Sequence, residues 1–233
     1  TRLSNLGVGL YKSGEHERAL KVLEEVIERR SEVMGADHPN TLQMIDFVAN
    51  LYLDKKHDVA RGLELLETRL ETTRKKLGAK SEETIDYIKR YTSALRKAGE
   101  YERALPIAQE LVDLQTEVLG LKDPDTLSSM SRLAYTTKAA GNPRKALPLY
   151  EKTLELRKKH LGAEHNVTIT SISNLAYNLE SLGQLEQAEE LFSEVLRLRE
   201  KTLGPDDSGT LKSKKKLASV REAIAARDDE KID

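Results

Sequence analysis

A glycine followed six places on by a threonine recurs along the chain: Gly35 with Thr41, Gly78 with Thr84, Gly120 with Thr126, Gly162 with Thr168 and Gly204 with Thr210, at steps of 43, 42, 42 and 42 residues. A fixed period of this length predicts a stack of like units, each burying its apolar face on its neighbours. A second punctuation splits each unit in two. Gly14-Glu15-His16-Glu17-Arg18-Ala19-Leu20 returns as Gly99-Glu100-Tyr101-Glu102-Arg103-Ala104-Leu105, and in looser form as Gly141 to Leu147 and Gly183 to Glu189.

Both halves carry the 3.6-residue period of an amphipathic helix. In the third unit Ile85, Ile88, Tyr91, Thr92 and Leu95 form one stripe, while Asp86, Lys89, Arg90, Ser93, Arg96 and Lys97 fall opposite. Capping residues three places after the glycine mark the starts of the first helices: Ser81, Asp123 and Asp207, with His38 and His165 in the same place. Pro39 and Pro124 follow, where a missing N–H costs nothing. The glycine behind each second helix is its stop, and Arg29, Arg30, Lys75, Lys76 and Lys158 to His160 complement the helix dipoles there. First helices (A) are predicted over about 1–13, 39–55, 81–98, 124–140, 166–182 and 208–227, and second helices (B) over about 16–34, 58–77, 101–119, 143–161 and 185–203. With 33% charged and 4% aromatic residues, the composition also fits a helical array better than a β-sandwich.

Helix, tight turn, helix, short turn, repeated, resembles the tetratricopeptide repeat. The small residues of that family's close helix contact are Ala134 with Ala146 and Ala176 with Ala188, and the large residue later in the second helix is Tyr150 or Phe192. The 42-residue unit, the Leu-Gly ending, Asp37-His38-Pro39-Asn40-Thr41-Leu42 and Asn174-Leu175-Ala176-Tyr177 resemble the kinesin light chain type. The resemblance covers nearly the whole chain. It implies an all-α, right-handed superhelix of about five helix pairs: one array over 1–227, with units at about 1–35, 36–78, 79–120, 121–162 and 163–204, a capping helix at 208–227 and a frayed tail at 228–233. The Thr-Leu pair is missing before the first helix, so an array continuing upstream of Thr1 is expected. Two departures stand out. Lys56-His57-Asp58-Val59-Ala60-Arg61-Gly62 has one extra residue and a glycine in place of alanine, which predicts an irregular turn; Pro106 and Pro148 lie inside second helices, where each removes a backbone bond and bends the axis.

The sequence offers little to a chemist. There is no cysteine, which removes disulfides, thiolate metal sites and thiol nucleophiles, and 38 Lys+Arg against 39 Asp+Glu argues against a wholly basic nucleic-acid surface. No P-loop, zinc-protease or nucleophile-elbow motif occurs, and no histidine has another three or four residues away. Adjacent carboxylates such as Glu24 and Glu25 point about 100° apart around a helix. No catalytic residue, metal or cofactor is therefore expected. No run approaches 18 apolar residues and the first residues lack a signal-peptide pattern, so neither a membrane span nor a membrane partner is expected, and the cytoplasm is the expected compartment.

What a stack of helix pairs offers is a long wall lined by its first helices. The outward residues there are Asn5; Phe47 and Asn50; Lys89, Arg90, Ser93, Arg96 and Lys97; Arg132, Tyr135 and Lys138; Asn174 and Tyr177; and Lys212, Lys215 and Lys216. Cations cluster from Lys89 to Lys138. The expectation is that this groove binds an extended acidic segment of a protein partner, with Lys and Arg pairing carboxylates or phosphates and the aromatics taking an apolar anchor. A solvated basic face is the plain alternative. The resemblance adds that kinesin light chain repeats hold acidic cargo-adaptor peptides in this groove, with first-helix asparagines gripping the peptide backbone. Asn5 and Asn174 match that position, whereas Phe47, Arg90 and Arg132 occupy it elsewhere. Two other functions stay open: a sensor arm of a larger signalling ATPase that recognises a folded partner, and a scaffold that associates weakly with itself.

Overall fold

Residues 2–54 and 58–229 are described in a computed structural model. They form eleven α-helices: α1 (Arg2–Lys12), α2 (His16–Met34), α3 (Pro39–Asp54), α4 (Val59–Leu77), α5 (Glu82–Ala98), α6 (Tyr101–Val118), α7 (Pro124–Ala139), α8 (Pro143–Leu161), α9 (Asn166–Ser181), α10 (Leu185–Leu203) and α11 (Ser208–Asp229). The odd-numbered helices are the A helices and the even-numbered ones the B helices. No strand occurs among the described residues. The last helix runs to Asp229, two residues past its expected end, where Arg227 pairs with both Asp228 and Glu186. Residues 230–233, the rest of the expected tail, lie outside the described residues, as do Lys56 and His57 of the expected irregular turn.

The period in the sequence is a period of turn chemistry. In the first two B-to-A turns the threonine hydroxyl folds back on the glycine: Thr41 Oγ1 donates to the Gly35 carbonyl at 3.0 Å and Thr84 Oγ1 to that of Gly78 at 2.8 Å. Gly78 adopts φ +83°, a conformation L side chains rarely take, which explains why the position repeats as glycine. The capping residues behave as expected. Ser81 Oγ accepts from the Thr84 N–H; Asp123 accepts from Asp125 and Thr126; Asp207 accepts from Gly209 and Thr210. His165 Nδ1 accepts from the Val167 N–H at 3.3 Å, and His38 Nδ1 from that of Asn40 at 3.2 Å, so these histidines serve as caps. Helices α6 and α8 continue through Pro106 and Pro148, both of which are exposed.

The chain divides into two units, Thr1–Ile107 and Ala108–Asp233, with the boundary inside α6. In the first, each of α1 to α5 packs on the next. Its core includes Leu23, Val48, Leu63, Ile88 and Leu95, and the predicted stripe of α5 is buried throughout. Helices α3 and α4 approach closely at Gly62, where a Cβ on residue 62 would lie 2.9 Å from Leu53 Cγ and 3.0 Å from Tyr52 Cβ. In the second unit α7 to α11 pack in succession around Ala134, Ala146, Ile172, Ala176, Ala188, Phe192 and Val195. The paired alanines expected at the close helix contacts are all fully buried.

Candidate functional site

In the first unit the outward faces of α1, α3 and α5 hold Asn5, Phe47, Asn50 and Lys97, all exposed, with Lys89, Arg90, Ser93 and Arg96 half-buried. Arg90 is not an isolated cation. Its Nη1 lies 3.2 Å from Asp46 Oδ1 and its Nη2 donates to Asn50 Oδ1 at 3.1 Å, so α5 is tied to α3. Asp46 also accepts from the Tyr87 hydroxyl and lies 3.6 Å from Arg69 Nε, while the Arg69 guanidinium stacks 3.9 Å above the Tyr87 ring. Burial, followed by the Asp46 hydrogen bond and charge, pushes the Tyr87 phenol up to about 12. On this face Lys12, Lys89, Arg90, Arg96 and Lys97 stand against Asp46, Asp54 and Asp86, a balance of 5 − 3 = +2.

In the second unit the same face of α7, α9 and α11 carries Arg132, Tyr135, Lys138, Asn174 and Tyr177. Tyr135 and Tyr177 stand one repeat apart and remain 46% and 43% exposed. Lys138 Nζ donates to the Tyr177 carbonyl at 2.6 Å, linking α7 to α9. Burial lowers the Lys138 pKa; Glu180 opposes this and Lys216 reinforces it. The Lys216 ammonium lies 5.0 Å from the Tyr177 ring centroid and pairs with Glu180, and Tyr177 meets Phe192 edge-on at 5.0 Å. Cations here are Arg132, Lys138, Lys212, Lys215 and Lys216 against Glu180 and Glu222, a balance of 5 − 2 = +3. The charge excess is thus slightly larger on this unit. The expected run of cations from Lys89 to Lys138 is divided between the two units.

Sequence reasoning missed the buried arginines. Arg157 is 4% exposed, donates to Ser171 Oγ at 2.6 Å and to the Leu127 carbonyl at 3.2 Å, and has its pKa lowered by burial. Arg30 and Arg199 occupy the equivalent place and reach the carbonyls of Asn40 and Gly209. Their recurrence at whole-repeat spacing was the available signal. Among the described residues no cluster of three or more histidines and carboxylates could hold a metal ion, and no helix is long and apolar enough to cross a membrane.

Helix pairs repeated every 42 residues, with polar and aromatic side chains presented along the first helix of each pair, define a helical-repeat scaffold. Two tetratricopeptide repeat family models match the chain, one over residues 90–159 and the other over residues 1–40 and 168–208. The chain belongs to the tetratricopeptide repeat family. A Podosopora anserina protein named for the kinesin light chain, with nearly identical TPR-like repeats, is 24% identical at a TM-score of 0.68, covering 86% of this chain and 95% of that one. BtubC (BKLC) from P. vanneervenii is 18% identical at 0.61, covering 87% and 80%. The TPR protein YrrB is 18% identical at 0.52, covering 91% and 90%. No curated protein matches. The repeats share the fold of the kinesin light chain type, as the sequence resemblance implied.

Proposed function

We propose that this chain is a non-catalytic protein-interaction module that takes an extended, acidic segment of a partner protein along its A-helix face. Tetratricopeptide repeats are protein–protein interaction scaffolds, and YrrB is described as having an unusual peptide-binding site. The observation that carries the reading is the second unit's face, where two exposed tyrosines one repeat apart stand among cations in a balance of +3. Aromatic rings supply an apolar anchor at low entropic cost, and Lys and Arg give strong charge-assisted bonds to carboxylates or phosphates. Arg132, Tyr135, Lys138, Asn174 and Tyr177 form the core of the proposed site. On the first unit, taken by itself, the same face offers Asn5, Phe47, Asn50, Lys89, Arg90, Ser93, Arg96 and Lys97, with Arg90 weakened as a ligand group by its pairing to Asp46. Nucleic acid, membranes, metals and cofactors play no part in this reading, and its setting is the cytoplasm.

The test is binding of acidic and neutral peptides at low and near-physiological salt, with the wild type, an Arg132→Glu/Lys215→Glu double variant and Arg90→Glu. Acidic peptides are expected to bind preferentially and to weaken with salt. The double variant should lose about tenfold or more, and Arg90→Glu much less. Equal binding of neutral peptides, or no loss in the double variant, overturns the proposal.

A further inference from the structure

Resting on the acidic-segment reading, we infer that the segment held by the second unit is a polyproline II strand with a three-residue code: apolar side chains at i and i+3, and a carboxylate at i+6. Tyr135 and Tyr177 hold the same place in successive repeats, nine residues after Thr126 and Thr168, and are 46% and 43% exposed. Helices α7 and α9 meet directly at this level, since Lys138 Nζ on one reaches the Tyr177 carbonyl on the other at 2.6 Å. The step from α9 to α11 is bridged by Lys216, which pairs with Glu180 and stands 5.0 Å from the Tyr177 ring centroid. Packed helix axes lie about 8–10 Å apart, so a ligand crossing these helices meets like positions at about that interval. A β-strand turns the same way every two or four residues, about 7 or 14 Å, and misses the second ring. Polyproline II has about three residues per turn at about 3.1 Å each, so its like-facing side chains recur every 9 Å or so and reach both rings.

The chemistry of the wall agrees with that shape. Helices offer side chains and no free backbone edge, so the ligand cannot be held as an added strand. Polyproline II needs no such edge: it has no internal hydrogen bonds, and its carbonyls stay open to donors such as a tyrosine hydroxyl, whereas a bound helix has used its own. Charge then places the third element of the code. Lys138 is tied to the Tyr177 carbonyl and Lys216 to Glu180. Arg132, Lys212 and Lys215 are exposed and pair with no carboxylate among the described residues. Lys212 and Lys215 share one face of α11, one helix beyond Tyr177, where a carboxylate three residues past the second apolar side chain falls. Arg132 lies one turn before Tyr135 and takes a further carboxylate beside the first apolar side chain.

The probes are synthetic peptides of one composition, proline, leucine and glutamate, titrated against the full chain. They are ordered so that two leucines lie two, three or four residues apart with a glutamate at the same interval beyond, in either chain direction. A further peptide with alanine for proline and leucines seven apart represents a helix. The three-residue spacing is expected to bind about tenfold or more tightly than the others, and the preference to vanish in Tyr135→Ala, whose exposed site leaves the fold intact, as the melting temperature checks. Equal binding of all spacings, tighter binding of the helical peptide, or a preference that survives Tyr135→Ala overturns the inference. If all spacings bind equally and all weaken with salt and in the Arg132→Glu/Lys215→Glu chain, the acidic-segment reading stands and only the three-residue code falls. If no spacing binds, both fall.

Discussion

Gly62 is a position where one hydrogen atom decides the helix spacing. A methyl group there meets the Leu53 side chain and the Tyr52 Cβ from α3, and the latter cannot swing away, because it sits at the root of a buried side chain. Overpacking a helix contact costs about 1–3 kcal/mol, against which alanine regains about 1 kcal/mol of helix propensity. Gly62→Ala is therefore expected to destabilise the chain by about 1–2 kcal/mol in urea titration, with Leu53→Ala added to the variant recovering part of the loss. A neutral or stabilised Gly62→Ala would refute the close contact. Sequence reading marked the same glycine but assigned its departure to the turn. Side-chain volume across two helices has no local signature, whereas the glycines and caps of the turns act within six residues and were legible from composition and spacing alone.

Between elements the same distinction governs what the sequence revealed. Helical periodicity assigned Arg90 to the outward side of α5 and it is there, but periodicity carries no information on what stands opposite, 44 residues earlier in the chain. That neighbour is Asp46, which joins α3 to α5 through Arg90 and Tyr87 and to α4 through Arg69. Arg69 is 5% exposed and keeps Glu83 at 3.2 Å and Thr73 as its other partners. Removing Asp46 therefore strips one of its two nearby carboxylates from a buried guanidinium, and an acceptor from Tyr87. Asp46→Ala is expected to cost about 2–3 kcal/mol, as hydrogen bonds to charged groups of this burial do, measured by thermal or urea unfolding. Arg90→Ala, which removes only the more exposed cation of the cluster, should cost less than 1 kcal/mol by the rule for exposed pairs. If the two variants fall equally, Asp46 is not the centre of the tie.

For the whole molecule, the period in the sequence dictated an all-α repeat because every unit solves the same burial problem, and the tetratricopeptide fold follows from that. The distribution of titratable groups between the two units was not legible, since it depends on which tyrosines the stacking buries. Tyr52, Tyr87 and Tyr91 all lie in the first unit, and each phenol is pushed up to about 12, by burial first and then by Glu24, Asp46 and Glu67 respectively. In the unfolded chain a tyrosine ionises near its ordinary value of about 10. The folded state thus holds protons that the unfolded state releases, so the stability these residues contribute is complete below pH 10 and is lost as pH rises from 10 toward 12. Melting followed at pH 8 and pH 11, with tyrosinate absorbance read alongside the helical signal, should show the first unit losing stability at the higher pH. Part of the tyrosinate signal is expected to appear only as helix is lost. Replacing Tyr87 by phenylalanine removes one of the three groups and should reduce the difference between the two pH values. If all tyrosines instead ionise together near pH 10 with the helices intact, burial does not protect these phenols and the alkaline weakness assigned to the first unit is wrong.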